Sequence, residues 1–431
     1  MNEIEIFGEK LVDFIYQTNL KTIPSYLYDD FLNYLGVTYL GANHKAVSIV
    51  LETLLDDHDG KYQPFCRKES VSLSDVALVD CFSSAIQAYD DIHFETTIHP
   101  CGPVLSAILA LSRKRAISLF ETLNALYIGM EVECRLATAL FSKETDSHSG
   151  WYTTGLVGSI GAVSALSHLL KFNKEQIKSA IGLSCNYASG IRGSHGSMTG
   201  SFVPAIASKN GFVSAMLIEK GMTCSFQSLV GENGLIKQIT NNPAIQKASD
   251  GLGQSHMASH ISCKPYPYGF ISFGAISLLM QLDIDFQSIN NLTVEVSSRV
   301  KNLGSNYVPK TMYDGFVSLP YIIASILVNR ENAYLPLKDD FIVSSKIKDI
   351  MKKITIKENE QMNDDEIYIL INNNKYYLKD AYGSINRPMQ HEEIIEKFKR
   401  ITNIKQKELF LDNFYHHDIQ NIYQFIIDFF E

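Results

Sequence analysis

The chain has 431 residues, of which 45% are apolar and 20% are charged, and its formal net charge is −9. This length predicts two or three domains with a sizeable core, and 23 Phe and 22 Tyr exclude an intrinsically disordered chain. The acidic balance and the lack of a Lys/Arg run argue against a nucleic acid or a membrane surface as a partner.

The cysteine pattern and the apolar stretches bear on the compartment. Seven cysteines are widely spaced, without a Cys-x-x-Cys pair, which indicates a reducing compartment and argues against a structural zinc site. The first ten residues have acidic side chains and no long apolar segment, so we expect no signal peptide. Apolar stretches are interrupted before about 18 residues, so we expect no membrane-spanning helix. Together these features predict a cytoplasmic globular protein, most simply an enzyme.

The first part of the chain has helical periodicity. Ser72 has the sequence context of a helix N-cap, and the apolar residues that follow recur at three- and four-residue spacing. Pro100 is placed to begin a second helix, and residues 116–141 predict a long third one. Small residues recur through 155–171, and 205–220 has a similar composition. This is typical of helices whose backbones are approached closely by their neighbours.

The pattern changes after about residue 258. Residues 292–298, 352–360 and 366–383 are rich in β-branched and aromatic residues and predict strands, with a hairpin turn at Asn372. Helical patterns lie between them, and the last residues return to helix. We therefore predict a mainly α protein with a large all-helical domain and a smaller α+β lid domain. The predicted helical domain is 1–258, completed by 395–431, and the predicted lid is 259–394.

The densest polar cluster lies between two predicted helices, at 88–100. Asp90 and Asp91 are followed within nine residues by Thr97 and His99. His99 directly precedes a helix start, where free N–H groups favour a bound anion. Carboxylates, an imidazole and an anion-binding helix start are suited to proton transfer beside a carboxylate-bearing substrate. On spacing alone, a polar loop with helix-capping residues remains the simpler alternative.

A second cluster is glycine-rich and spans residues 188–202. Its glycines allow close approach of the backbone to a ligand, Arg192 can bind a carboxylate, and His195 lies nearby. It matches neither the G-x-G-x-x-G pattern nor a P-loop, which disfavours a nucleotide site. A surface loop is the alternative.

Isolated residues elsewhere are weaker candidates. Lys264 lies among prolines and tyrosines at the predicted domain junction and can anchor a carboxylate, whereas a solvated lysine is the alternative. Tyr152 can line the floor of a binding site, and Tyr321 on its own is more typical of a core aromatic. His256 and His260 have the spacing of a two-histidine metal face, but no acidic residue lies between them. We expect no metal and no cofactor.

Taken in order, these segments resemble the MmgE/PrpD family, which includes 2-methylcitrate dehydratases and cis-aconitate decarboxylases. The matching segments are YDD…HP (89–100), GWYTTGLVGSIGAVSALSHLLKF (150–172), NYASG (186–190), SKNGFVSAMLIEKG (208–221), KPYP (264–267) and SLPY (318–321). The resemblance implies a helical domain made from both chain ends, a smaller lid, an active site between them and a homodimer. It also implies metal-free chemistry on carboxylate substrates in the decarboxylases.

The resemblance also implies site residues. The family's aspartates and histidine of the first motif correspond to Asp90, Asp91 and His99, its lysine to Lys264 and its tyrosine to Tyr321. Other positions depart from the family. Ala88 stands where the family has an aspartate, and Tyr152 stands where it often has a histidine. The family's lysine corresponds to about Gly200 and its second histidine to about Gly269, so all four positions are uncharged here.

The sequence therefore predicts a divergent lyase or isomerase that moves a proton at the carbon alpha to a carboxylate or carbonyl of a small metabolite. We expect His99 and Tyr152 to act as acid–base groups, Asp90 or Asp91 to orient them, and Tyr321 to donate a hydrogen bond. The expected substrate-binding residues are Thr97, Arg192, His195 and Lys264. Because the missing cations disfavour a tricarboxylate, a smaller or less charged substrate fits better. The alternative is a small-molecule-binding protein that keeps the fold without catalysis.

Overall fold

The structure is a computed structural model and describes residues 1–56, 60–147 and 150–430. Helices account for most of it, so the protein is mainly α, as predicted. The α-helices are α1 (Glu3–Gln17), α2 (Ser25–Gly41), α3 (Lys45–Leu55), α4 (Leu73–Ala85), α5 (Cys101–Ser112), α6 (Leu119–Phe141), α7 (Thr153–Leu169), α8 (Lys174–Cys185), α9 (Met198–Glu219), α10 (Gln227–Val230), α11 (Leu235–Ile239), α12 (Ile245–Ser249), α13 (Phe273–Leu279), α14 (Ser298–Gly304), α15 (Met312–Gly315), α16 (Leu319–Val328), α17 (Ser345–Met351), α18 (His391–Ile401), α19 (Lys407–His416) and α20 (Ile422–Phe430).

The strands form two small sheets. They are β1 (Asp91–His93), β2 (Ile261–Cys263), β3 (Leu292–Val296), β4 (Ile354–Glu358), β5 (Ile367–Ile371) and β6 (Asn374–Leu378). β1 and β2 form an antiparallel ribbon, and the other four form a sheet in the order β4-β3-β5-β6. Within this sheet β3 is parallel to β4 and antiparallel to β5. The tight connection from β5 to β6 begins with Asn372, which adopts a left-handed φ of 53°.

Two apolar cores organise the molecule. The first combines helices α1 to α12 with α18 to α20, so both chain ends contribute to it. The second is built around the four-stranded sheet with α13, α16 and α17. Its buried residues lie between Tyr266 and Ala381. We therefore keep the division into a helical domain and an α+β lid at 259–394 as a proposal that these cores support.

Capping explains where the helices begin. The Ser72 hydroxyl accepts from the Asp75 N–H at the start of α4, as its sequence context predicts. α6 begins with a reciprocal capping box between Ser118 and Glu121, and it runs for 23 residues within the predicted 116–141. α4 packs against α5, and the first polar cluster lies between the end of α4 and the start of α5.

Small residues allow α7 and α9 to pack closely. A Cβ at Gly211 of α9 would lie 2.6 Å from the Cβ of Ala162 and 2.7 Å from the Ser159 carbonyl oxygen. A Cβ at Gly158 of α7 would lie 3.2 Å from Ala207 Cβ. This close approach places the segment before α7 beside the segment before α9, and both segments reach the cavity described below.

By length and composition alone, α9 is long and apolar enough to cross a membrane. The sequence analysis expects no such helix. Half of its apolar window is buried inside the protein. It packs against α4, α5 and α7 and contains Pro204. These contacts are those of a helix within the first core.

Candidate active site

A cavity of about 370 Å³ lies between the two cores. Residues from the helical core supply its polar wall, and residues from the lid supply a wall that is mainly apolar. The polar wall includes Asp90, Thr97, His99, Tyr152, Arg192 and His195, whereas the lid contributes Lys264, Gly269, Phe270, Ile271, Asn302, Leu303, Tyr313, Phe316 and Val317. The structure therefore brings together most of the residues that the sequence singled out.

The β1–β2 ribbon joins the first polar cluster to the lid. Asp91 pairs with Cys263 in the antiparallel register. Because Asp90 precedes β1 and Lys264 follows β2, the same register brings these two residues together. The Lys264 backbone N–H donates to the Asp90 carbonyl oxygen at 3.0 Å. Residues that are 174 positions apart in sequence thus meet at one end of the cavity.

Lys264 and Asp90 form a buried ion pair. Lys264 Nζ donates to Asp90 Oδ1, and the residues are only 4% and 7% exposed. Burial opposes ionisation of Asp90, but the adjacent Lys264 ammonium is the main cause that outweighs it and holds the pKa of the carboxyl below its usual value. The protein itself therefore compensates most of the positive charge of Lys264.

His99 is held in one tautomer. Its Nδ1 lies 2.6 Å from the Asp91 carbonyl oxygen, which can only accept, so Nδ1 carries a proton. Burial lowers the pKa of His99, with the nearby Asp90 carboxylate acting in the opposite direction. Nε2 therefore carries a lone pair at neutral pH, and no hydrogen bond to it is seen within the described residues. Because His99 lines the cavity, this nitrogen is available to a ligand.

Asp91 supports the site from behind. It is not among the cavity-lining residues, and its Oδ2 accepts from the Cys101 N–H at the start of α5 at 3.1 Å. Burial, together with the adjacent Asp90 carboxylate, raises the pKa of Asp91 to about 7. Asp91 therefore orients His99 through its backbone carbonyl and fixes the start of α5. Of the two predicted aspartates, only Asp90 faces the cavity.

The glycine-rich segment supplies a cation. Arg192 begins a 3-10 turn at Arg192–Ser194, and its Nη2 donates to Thr97 Oγ1 at 2.9 Å while its Nε donates to the Trp151 carbonyl at 3.2 Å. Within the described residues it forms no ion pair with a carboxylate. Thr97, predicted to bind substrate, lines the cavity and also holds the guanidinium in place. Arg192 is therefore a positioned and uncompensated cation.

Tyr152 and His195 lie side by side near Arg192. Their rings meet edge to face with centroids 5.1 Å apart. Burial raises the pKa of Tyr152, so the residue stays a neutral hydroxyl at pH 7. Surrounding protein and the charge of Arg192 lower the pKa of His195 to about 4, although its ring stays open to the cavity. Both residues are therefore neutral hydrogen-bonding groups at pH 7.

Tyr321, like Asp91, is a predicted site residue that does not line the cavity. It lies on α16 with 6% exposure, and its ring packs edge to face against Phe341 at 5.0 Å. It belongs to the second apolar core and is not among the lining residues. The first turn of α16 directs it into this core, and its expected role as a catalytic hydrogen-bond donor stays a prediction.

Sequence reasoning missed Lys397. This residue is 1% exposed on α18, and its Nζ donates to Asn33 Oδ1 at 2.6 Å, to the Tyr89 carbonyl at 2.7 Å and to the Lys264 carbonyl at 2.8 Å. Burial lowers the pKa of Lys397 to about 7, yet three oxygen acceptors match the three N–H groups of an ammonium. The backbone on both sides of the Asp90–Lys264 pair is thus tied to the C-terminal helix. A lysine on the apolar side of an amphipathic helix was the available signal.

The described residues contain no group of three or more His, Cys, Asp or Glu side chains placed to hold a metal ion. Of the two histidines with the spacing of a metal-binding face, His256 makes a different contact. His256 Nδ1 lies 2.6 Å from the Tyr127 hydroxyl. The expectation that the protein uses neither metal nor cofactor stays a prediction.

Comparison with known proteins gives two kinds of match. The MmgE/PrpD N-terminal domain matches residues 9–248, and the MmgE/PrpD C-terminal domain matches residues 266–409. A cis-aconitate decarboxylase-like protein of Aspergillus oryzae is 30% identical over 148 residues. This match covers 32% of the chain and 30% of the relative. Because the two domain matches together span most of the sequence, the chain belongs to the MmgE/PrpD family.

Proposed function

We propose that the protein is a lyase or isomerase that removes a proton from the carbon alpha to a carboxylate or carbonyl of a small metabolite. One observation supports this most directly: a neutral His99 with Nδ1–H on the Asp91 carbonyl and Nε2 open to the cavity. This is the arrangement of a general base, because the bound nitrogen fixes the tautomer and the other nitrogen accepts the proton.

In the proposed first step, His99 Nε2 takes the α proton and the C–H electron pair moves into the adjacent carbonyl or carboxylate as an enolate. Arg192 holds a carboxylate of the substrate before the reaction. The Lys264 ammonium and the Tyr152 hydroxyl donate toward the oxygen on which negative charge develops. Such donors stabilise the transition state more than the ground state, because the charge is larger there.

The second step depends on the substrate. In a dehydration, the enolate electron pair forms a carbon–carbon double bond while a β-hydroxyl leaves as water with a proton from the protonated His99. In an isomerisation, the protonated His99 returns its proton to the same or a neighbouring carbon. A decarboxylation would omit the first step: the bond to the carboxyl carbon breaks as CO₂ leaves, its electron pair remains as a carbanion conjugated with the neighbouring double bond or carbonyl, and His99 protonated from solvent delivers one proton to that carbanion.

The comparisons support the lyase class. The relative from Aspergillus oryzae is named a cis-aconitate decarboxylase-like protein. Since the match spans 30% of that relative, it does not carry the substrate over to this chain. We also propose a homodimer, cofactor-free chemistry and a cytoplasmic location. A light-scattering mass of two chains would support the first of these.

The test uses D₂O and a panel of 3-hydroxy and 2,3-unsaturated acids that carry one, two or three carboxylates. Mass spectrometry of the recovered acids would detect deuterium at the α carbon, loss of water or loss of CO₂. We expect at least one acid to react and His99→Gln to lower its rate about 10²- to 10⁴-fold. His260→Gln, which changes an exposed histidine, serves as the control and should keep the wild-type rate.

The same experiment separates catalysis from mere binding. If an acid raises the melting temperature of the protein but shows neither exchange nor product, the binding-protein alternative replaces our proposal. If exchange occurs at equal rates in wild type and His99→Gln, the enzyme class holds but the assignment of the base is wrong.

A further inference from the structure

The charges that line the cavity limit how many carboxylates a ligand can bring. Asp90 and Lys264 neutralise each other as a buried ion pair. His99 and His195 have lowered pKa values and are neutral at pH 7. Among the charged side chains that line the cavity, Arg192 therefore remains as one net positive charge. A second or third buried carboxylate on the ligand would lack a counter-charge, which is costly in a desolvated site.

The part of the cavity wall that the lid contributes is different in character. Ile271 and Phe316 are buried members of the lid core. Phe270 and Val317 pack against the same core. Besides Lys264, the polar side chains that the lid adds to the cavity are Asn302 and Tyr313. A cavity with a mainly apolar lining and a few convergent polar groups suits a ligand that has a polar group at one end and an apolar remainder.

Leu303 extends the apolar wall toward solvent. It lines the cavity from α14 and is still 37% exposed. The apolar surface of an exposed leucine is removed from water only when another apolar group covers it, and this burial is favourable. The apolar wall therefore continues beyond the enclosed part of the cavity, and it can follow an extended chain.

We infer that the substrate carries one carboxylate beside the reacting carbon and an apolar chain or ring that lies along the lid. This inference rests on the proposed function, since it names the substrate class of the same site. Arg192 binds the carboxylate, His99 faces the α carbon, and the apolar group contacts Phe270, Phe316 and Leu303. Citrate-like acids fit poorly, because the cavity offers one uncompensated cation.

Isothermal titration of the full chain with butanoate, hexanoate, octanoate and citrate at pH 7 tests this inference. Burial of each methylene should tighten binding about fourfold, so affinity should rise about sixteenfold from one monocarboxylate to the next. Citrate should bind at least about tenfold more weakly than octanoate. Arg192→Gln should weaken all three monocarboxylates by a similar factor, about tenfold or more.

A matched pair of leucine variants tests where the apolar chain of the ligand lies. Leu303→Asn should weaken octanoate at least about fivefold and leave butanoate nearly unchanged, because only the longer acid reaches the lid. Leu335→Asn changes a leucine that is 51% exposed and does not line the cavity, so it should alter neither affinity. Both positions are partly exposed, which limits the risk to folding.

Two results would overturn the inference: affinity that does not depend on chain length, or citrate as the tightest ligand. Neither result touches the proposed function, since exchange in D₂O is measured separately. Conversely, binding that follows chain length without exchange in any acid would retain the ligand class and contradict the proposed catalysis.

Discussion

At the scale of single residues, the adjacent aspartates Asp90 and Asp91 have different structural roles. Asp90 is ionised against Lys264 and faces the cavity. Asp91 points away and accepts from the start of α5, with a pKa raised to about 7 by burial and by Asp90. Their sequence context is the same, so the sequence left open which of them orients the base. In the structure both contact His99 Nδ1, the Asp91 carbonyl oxygen at 2.6 Å and Asp90 Oδ2 at 3.2 Å, and of the two only Asp90 lines the cavity.

This difference predicts unequal effects of two substitutions. Asp90→Asn leaves the buried Lys264 ammonium without a counter-charge and should lower the free energy of unfolding by about 3 kcal/mol. Asp91→Asn keeps an acceptor for the Cys101 N–H and should cost less than about 1 kcal/mol. Urea denaturation of the two variants measures the difference. Equal losses would contradict the assignment of the ion pair.

At the scale of elements, the pairing of α7 with α9 positions the polar wall. Tyr152 precedes α7, and Arg192 lies in the loop before α9, so the spacing of the two helices sets the distance between these side chains. The small residues of 155–171 predicted a closely approached helix, and Gly211 of α9 meets Ala162 of α7. The sequence could indicate close packing but not the partner helix, because small-residue spacing is the same against any neighbour.

Two glycines of the same helix provide a matched test. Gly211→Ala puts a Cβ at 2.6 Å from Ala162 Cβ, so it should destabilise the protein by about 1–3 kcal/mol despite the higher helix propensity of alanine. At Gly200 the nearest atom to an added Cβ is 3.6 Å away, so Gly200→Ala should be neutral or stabilising by up to about 1 kcal/mol. Thermal unfolding compares them, and a similar loss in both would argue against the close α7–α9 contact.

The burial of Tyr321 is also an effect of element packing. The sequence places this residue early in a helix, and the resemblance gives it a role in the site. α16 buries it in the second core, where the ring of Phe341 packs edge to face against it. Helical periodicity identifies an apolar face, but it does not show whether that face meets the cavity or the core.

At the scale of the whole molecule, the C-terminal helices pack against the N-terminal helices. α18 packs against α2, and Phe414 of α19 meets Phe31 of α2 with ring centroids 5.6 Å apart. Lys397 extends this contact to the active site by binding the carbonyls of Tyr89 and Lys264. The return to helix was predictable from composition. The buried lysine was not, since its acceptors lie more than 100 residues away in sequence.

Lys397 should therefore stabilise the fold far more than a neighbouring surface lysine. Lys397→Met leaves three buried acceptors without a donor and should cost about 3 kcal/mol in the free energy of unfolding. Lys399→Met removes a partly exposed ion pair with Glu408 and should change stability by no more than about 0.5 kcal/mol. Urea denaturation at pH 6 keeps both lysines protonated, and an equal effect of the two changes would contradict this role.

The central claim is that His99 is a neutral base with its proton on Nδ1. The ¹⁵N chemical shifts of the histidine side chains test it directly, with the His99 signals among the 12 histidines assigned by their loss in His99→Gln. We expect a protonated Nδ1 and an unprotonated Nε2 at pH 7. Because burial lowers the pKa of His99, we also expect its titration midpoint to lie below 6.5. A proton on Nε2 at pH 7, in either the neutral or the charged ring, would contradict the account.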